Sequence, residues 1–544
     1  MARPAATPDL TRDATSRAGR VVALTGTGLT IEDLVAVARS GARVADLTDA
    51  DFARLAPARE WIRGAVEEGD EVIYGVNTGF GSLAGTRIAP ARTRLLSRNV
   101  VLKCAVGVGD PLPRDWVRAM MAVRAHSLAR GVSGVRPEIV GTLLDMLNRG
   151  VLPRVPSKGS LGASGDLAPL AHIALVATAG PEGMPEDYTG EAWFDGRLLT
   201  GAEAMAAAGI PRPRLEAKEG LALTNGTAMM VAAAALALHD ARRVLAHAEL
   251  AAALSFEALR ALTEALHPLL HEANNQPGQI RSAARLRELL ADSRLVDTDP
   301  DKIQDAYSIR CTPQVLGPVH DMLGFLAGRI EAALDAASDN PLVFVERADH
   351  PTRKAVSGGN FHGAGPALWL DVLGIAIAEV ANLSDRRVFR LLTPELSGGL
   401  PAMLVAEPGL NGGLMTTQYT GAALVSDNKT LAHPDSVDSI PTSANQEDHV
   451  SMGANAARHA WEIVDNVKKV IAIELLAASQ AVYLRSEGPE RLGRGTRGVY
   501  AAIRERIEPV VADRALAPDL AIVEDLIDSG RLLEAADPER ASDP

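Results

Sequence analysis

Ala163-Ser164-Gly165, inside the run GSLGASGDLAPLAHIAL from Gly159 to Leu175, is a tripeptide whose backbone can become an electrophile. If such a turn is compressed, the amide nitrogen of Gly165 reaches the carbonyl carbon of Ala163, because glycine has no Cβ to block the approach. Loss of water closes a five-membered ring. Dehydration of Ser164 then leaves an exocyclic methylene, giving a 4-methylideneimidazole-5-one (MIO) ring that needs no added cofactor. No common side chain is electrophilic in that way. Taken alone, small residues in series more often mean a tight turn or a close helix crossing.

Five other segments give the tripeptide a context. They are IYGVNTGFGSLA (Ile73 to Ala84), EGLALTNGT (Glu219 to Thr227), QDAYSIRCTPQVLG (Gln304 to Gly317), GGNFHG (Gly358 to Gly363) and PTSANQEDHVSMG (Pro441 to Gly453). In this order the six resemble the signatures of the histidine and phenylalanine ammonia-lyase family, over about residues 22–480. The stretch SVDSIPTSANQEDHVSM is most similar to the bacterial histidine ammonia-lyases.

The resemblance implies non-oxidative elimination of ammonia from an aromatic L-amino acid, with histidine giving urocanate as the first expectation. In that reaction the β-hydrogen is barely acidic and the amine is a poor leaving group. Addition of the amine to the methylidene carbon improves the leaving group, while a positioned base takes the β-proton. The resemblance assigns the base to Tyr74. A free phenol has a pKa of about 10, so the role requires nearby donors or a helix N-terminus to lower it. Gly75, Gly79 and Gly81 suit a lid over substrate. Arg310 matches the family arginine that grips the substrate carboxylate through its planar fork of donors. Tyr307, three residues earlier, falls on the same side of a helical turn. Asn225 corresponds to an asparagine that hydrogen-bonds near the ring, Phe361 lines the pocket and Gln304 belongs to the polar shell. Glu447 corresponds to a glutamate that pairs with imidazole, which favours a polar aromatic ring.

Each residue also has an ordinary reading. Tyr74 can be a loop tyrosine, Arg310 a surface charge, Asn225-Gly226 a turn and Phe361 a core aromatic. Glu447 can be a solvated acid near a helix start, although Ser443 precedes it by four residues rather than the three of a capping box.

One segment departs from the family. In RNVVLKCAVGVG the histidine ammonia-lyases have Ser-His where this chain has Lys103 and Cys104. Cysteine is smaller and a weak hydrogen-bond partner, so one contact to the substrate ring is missing. Lys103 can pair with an acidic or phenolic ring substituent, or extend to solvent as lysines usually do. Tyrosine, phenylalanine or a modified aromatic amino acid therefore stay open as substrates. A 2,3-aminomutase, which returns the amine to the β-carbon, is a second enzymatic reading, and an inactive oligomeric scaffold is the reading from another class. The intact Ala163-Ser164-Gly165, Tyr74 and Arg310 argue against a scaffold.

The elements that must position these residues are mostly helical. Aromatic residues make up 3% of the chain while alanine, leucine and arginine abound, a balance that favours helix. Met322, Phe325, Leu326, Ile330 and Ala333 recur at helical spacing, as do Val464, Val467, Ile471 and Leu475. The alanine-rich stretch from about Met229 to Leu262 reads as a helix enclosed by others. Glycine and proline gather at Gly75 to Gly85, Val151 to Gly165, Pro181 to Pro185, Pro211 to Pro213 and Gly398 to Gly413, where loops are expected. Pro211-Arg212-Pro213 is the linker candidate. The expected plan is a disordered tail over 1–20, a domain over 21–213 carrying the ring-forming turn and the tyrosine loop, and a helical domain over 214–544. The resemblance adds a mainly α fold with a long central bundle of the fumarase/aspartase-like type, and a homotetramer whose active sites draw on three chains.

Composition narrows the function classes. The chain has 544 residues, enough for a large core, and carries 55 Lys+Arg against 68 Asp+Glu, a formal charge of −13 without basic clusters. A nucleic-acid partner is not expected. Cys104 and Cys311 are the only cysteines, too few for a disulfide framework and suited to a reducing cytoplasm. No window has the uninterrupted apolar length a membrane span requires, so no membrane is expected. His267 and His271 have i, i+4 spacing, but Pro268 interrupts them and no third ligand is evident, so no metal is expected. GGNFHGAG lacks the Gly-Lys-Ser/Thr ending of a phosphate loop. GASGD is not the GxSxG elbow of a serine hydrolase.

Overall fold

The structure is a computed structural model that describes residues 19–182, 188–350 and 352–537. Residues 1–18, most of the tail expected at 1–20, lie outside the described residues. The protein is mainly α. Its longest helices are Ala228–Ala258, Thr312–Leu334, Ala364–Leu392 and Gly453–Leu484.

The contacts divide the chain into two units, each drawn from separated stretches. The first comprises 1–236, 327–370 and 434–458; the second comprises 237–326, 371–433 and 459–544. All four long helices supply residues to both.

Every strand of the described residues falls in the first unit. Val21–Val22 pairs in parallel with Arg43–Val44, and Val108–Pro111 runs antiparallel to Pro156–Lys158. Leu152–Pro153, Glu191–Phe194 and Arg197–Thr200 form a three-stranded antiparallel sheet, and Leu342–Val343 pairs with Ala355–Val356. The second unit is helical. The Pro211-Arg212-Pro213 segment is stitched into the first unit rather than left as a free linker: Ala179 N donates to Pro213 O at 3.0 Å, and Arg212 donates to the carbonyls of Val176 and Leu175 at 3.0 and 2.8 Å.

Alanine content explains helix Ala228–Ala258, in which Ala232 to Ala235 are all at most 1% exposed; small side chains on every side let neighbours approach closely. Val464, Val467, Ile471 and Leu475 are buried on helix Gly453–Leu484, as their spacing predicts. Helix Thr312–Leu334 differs from the sequence expectation. Its buried stripe is Leu323, Leu326, Ile330 and Leu334, whereas Phe325 is 59% exposed. Residue 325 is one position out of step with that stripe, so apolarity alone misplaced it.

Ala364–Leu392 is, among the described residues, one helix long and apolar enough to cross a membrane, which corrects the expectation that no window qualifies. Half of its apolar window is buried inside the protein, and Asp371, Asp385 and Arg387 on it are buried too. Arg387 forks onto both carboxylate oxygens of Glu474 at 2.5 and 2.8 Å, a buried ion pair that ties one face of this helix into the protein.

Candidate active site

The first unit brings together most of the residues singled out by sequence. Helix Leu167–Ala177 begins directly after the Ala163-Ser164-Gly165 turn, and Asp166 between them is fully buried. Its carboxylate accepts the backbone N–H groups of Met229 and Met230 at 2.9 and 3.1 Å, pairing donors that the buried start of helix Ala228–Ala258 cannot satisfy internally. Burial pushes the Asp166 carboxyl up to about 7, against the pull of those two N–H groups, the Ser160 hydroxyl and the Arg124 charge.

Gly165 has φ +75° and bridges to Gly226. A Cβ on Gly165 would lie 2.2 Å from Gly226 O, so this close approach of two backbones admits only glycine. Asp166 N donates to Gly226 O at 2.7 Å on the same contact. The Ser164 carbonyl accepts from Asn225 Nδ2 at 2.7 Å, and Gly226 N lies 3.4 Å from it. Asn225 is placed by the short helix Glu219–Thr224, whose last turn closes with Asn225 N on Leu221 O.

The serine side chain is held as well. Ser164 Oγ donates to Glu447 Oε1 at 3.1 Å, and Thr442 Oγ1 donates to the other carboxylate oxygen at 3.2 Å. Glu447 sits in a tight loop, not at the start of a helix: Thr442 and Glu447 exchange backbone hydrogen bonds across Ser443, Ala444 and Asn445. Those three residues have φ of 51°, 50° and 67°, a left-handed run without glycine that costs energy and fixes the carboxylate. The loop continues to Ser451 and Met452, which bind the carbonyls of Gly162 and Leu161 at 3.1 and 2.8 Å. Gly363 N donates to Gly162 O at 2.9 Å, which brings half-buried Phe361 and His362 to the same turn. His362 Nε2 is 3.2 Å from His449 O.

Tyr74 is half-buried, and Gly81 N donates to its hydroxyl oxygen at 3.0 Å. Gly75, at φ +65°, packs its loop onto the short helix, where a Cβ would meet Leu221 Cδ2 at 2.5 Å. Ser82 N reaches Ser443 Oγ at 3.4 Å, joining the tyrosine loop to the Glu447 loop. Helix Thr93–Cys104 ends beside them. Lys103 Nζ stands 4.7 Å over the Phe80 ring, on the tyrosine loop. Cys104 is buried; desolvation pushes its thiol up, Lys103 lowers it and the negative charge of Glu447 raises it further, so the thiol stays protonated near neutrality. His172 Nε2 accepts from Gly107 N at 3.2 Å just beyond, and burial keeps that imidazole neutral.

Gln304, Tyr307 and Arg310 belong to the second unit. Tyr307 and Arg310 occupy one turn, helix Tyr307–Arg310, with the guanidinium 4.9 Å over the Tyr307 ring. Tyr307 is 71% exposed. Arg310 and Gln304 line a cleft of about 520 Å³ together with Ile303, Asp305, His267 and Leu270. The buried Nε of Arg310 has no partner among the described residues, which leaves a donor for a ligand.

Sequence reasoning missed Asp166, although it directly follows the tripeptide and is a residue type that accepts helix-start N–H groups. It also gave no role to His362, next to Phe361.

The described residues hold no cluster of three or more metal-ligating side chains. The family model for aromatic amino acid lyases matches residues 29–505. A histidine ammonia-lyase of Treponema denticola is 47% identical over 499 residues, which is 92% of this chain and 95% of that one. Among solved structures, the histidine ammonia-lyase of Trypanosoma cruzi is similar with a TM-score of 0.86 and 39% identity, covering 95% of each chain. A tyrosine aminomutase from Streptomyces globisporus is similar with a TM-score of 0.87 and 34% identity, covering 95% of this chain and 98% of that one.

Proposed function

The chain belongs to the aromatic amino acid lyase family and is a carbon–nitrogen lyase, and on that premise we propose that it eliminates ammonia from L-histidine to give urocanate. The observation that carries the reading is the convergence of Ser164, Asn225 and Glu447 on one turn. Ala163, Ser164 and Gly165 fit an MIO ring: Gly165 is pressed where only glycine is accommodated, and the Ser164 carbonyl already has its hydrogen-bond donor. The ring supplies an electrophile for the substrate amine. Beside it, Glu447 pairs with the imidazole and Tyr74 takes the β-proton, the Gly81 N–H steadying its oxygen, while the grip on the carboxylate is assigned to Arg310 on the family resemblance. Phe361 lines the pocket beside the turn, and Gln304 and Tyr307 accompany Arg310.

We assign the homotetramer on the family resemblance and on helix Ala364–Leu392, where Leu368, Ile375 and Phe389 are 55%, 46% and 43% exposed at heptad-compatible spacing. Sites shared between copies are part of that proposal. The two free cysteines suit a cytoplasmic setting.

A second reading is favoured by Lys103 and Cys104, which stand where the resemblance implies Ser-His. A thiol kept protonated cannot pair with imidazole as strongly as a histidine does, so another aromatic ring, or an aminomutase outcome, competes with histidine deamination. Two experiments decide. Intact-protein mass two waters below the sequence mass supports the ring, and an unmodified mass supports a scaffold. Incubation with histidine, tyrosine, phenylalanine and their β-isomers separates the rest: urocanate with ammonia supports the histidine lyase, and β-amino acid without net ammonia overturns it in favour of a mutase.

A further inference from the structure

Beneath the Gly165–Gly226 contact lies a layer of buried charge that no step of the proposed reaction uses. Lys218, 1% exposed and held at φ +77°, donates to Asp339, itself 1% exposed. Asp339 also accepts from Ser133 Oγ at 2.7 Å. Arg124, 1% exposed, donates to the Ala222 carbonyl, and its Nε and other terminal nitrogen have no partner among the described residues. That free nitrogen faces Gly226: a Cβ there would meet it at 2.5 Å and Ser338 Oγ at 2.6 Å. Ser338 Oγ in turn accepts from Thr227 N at 3.4 Å.

The two cations therefore grip the two ends of one six-residue helix, Glu219–Thr224, Lys218 just before it and Arg124 on its last turn. The residues this helix delivers are Asn225, bonded to the Ser164 carbonyl, and Gly226, pressed on Gly165. Burying two cations is costly unless the arrangement they enforce is worth more than an apolar equivalent. We infer that Arg124, supported by the Lys218–Asp339 pair, is a positioning residue for maturation: acting through Asn225-Gly226, it holds the Ala163-Ser164-Gly165 turn in the compression that ring closure needs.

The inference rests on the proposed ring. In closure the Gly165 nitrogen bonds to the Ala163 carbonyl carbon. The former carbonyl oxygen leaves as water with the Gly165 and Ser164 amide hydrogens. The Ser164 hydroxyl leaves as a second water with the Ser164 α-hydrogen. Two waters depart and no oxidant is required.

The test reads intact mass and thermal midpoint of soluble, full-length protein. Arg124→Met is compared with Arg387→Met, which breaks an equally buried ion pair in the other unit. The expected result is an Arg387→Met protein that melts lower yet carries the ring fully, and an Arg124→Met protein in which at least about four fifths of chains keep the sequence mass, with Arg124→Lys recovering part of the ring. Asp339→Asn, nearly isosteric, serves if Arg124→Met is insoluble, and is expected to leave most chains at the sequence mass. Full ring formation in Arg124→Met, or in Asp339→Asn where that variant serves, overturns the inference, as does equal loss in Arg387→Met. Wild-type protein at the sequence mass overturns the lyase reading instead.

Discussion

At the residue scale, the Ser164–Glu447 hydrogen bond joins positions 283 apart in sequence and sets a carboxylate beside the turn, where the proposed function pairs it with imidazole. Removing the charge and keeping the shape, Glu447→Gln, is expected to raise KM for histidine about tenfold, a charge-assisted bond being worth about 1.5 kcal/mol or more. Steady-state kinetics checks this, and an unchanged KM removes Glu447 from ring recognition. Asp166 gives a pH signature. Its carboxyl is held up at about 7 by burial, so between about pH 4 and 7 the folded protein binds the proton that the unfolded chain has lost. The Asp166 contribution to stability is thus complete below about pH 4 and falls as pH rises to about 7, by up to about 4 kcal/mol. Thermal midpoints of wild type and Asp166→Asn are expected to diverge between about pH 4 and 7, the wild type losing ground as pH rises; parallel profiles rule the linkage out. Of these residues Ser164 and Glu447 were legible because their motifs are dense and ordered. Arg124, Lys218 and Asp339 were not, since an isolated charge in a sequence reads as surface.

At the element scale, the Ala163-Ser164-Gly165 turn is shaped by what packs behind it. The contact between Gly165 and Gly226 joins the start of one helix to the end of another, and it admits no side chain at Gly165. Gly165→Ala is expected to place a methyl 2.2 Å from Gly226 O, to force the turn open and to leave the mass unreduced. Gly226→Ala, strained at φ +137°, first meets the Arg124 nitrogen and the Ser338 hydroxyl at 2.5 and 2.6 Å rather than backbone, and is expected to slow ring formation less severely. Mass spectrometry over time after synthesis ranks the two, and a ring-bearing Gly165→Ala protein contradicts the contact. Helical periodicity gave the interior of Gly453–Leu484 correctly because its four valine, isoleucine and leucine positions fall on one stripe. It failed at Phe325, where an apolar residue lies off the stripe; the anchoring of Pro211-Arg212-Pro213, by the Arg212 side chain and the Pro213 carbonyl, is long-range contact that local sequence does not reveal.

At the scale of the whole molecule, helix Ala364–Leu392 leaves Leu368, Ile375 and Phe389 exposed, and the proposed tetramer would cover them. The double substitution Leu368→Glu with Ile375→Glu is expected to reduce a tetramer to smaller species in analytical ultracentrifugation; unaltered sedimentation moves the subunit contacts elsewhere. The turn at 163–165 draws its clamps from Gly226, Gly363, Ser451 and Met452. A ribosome delivers these in sequence order, so the serine has left the exit tunnel long before its last clamp exists. On the proposed ring, the electrophile is accordingly a product of finished chains: a polypeptide that stops short of residue 451 is expected to keep a plain serine, and the newborn protein to pass through an inert interval before its first turnover.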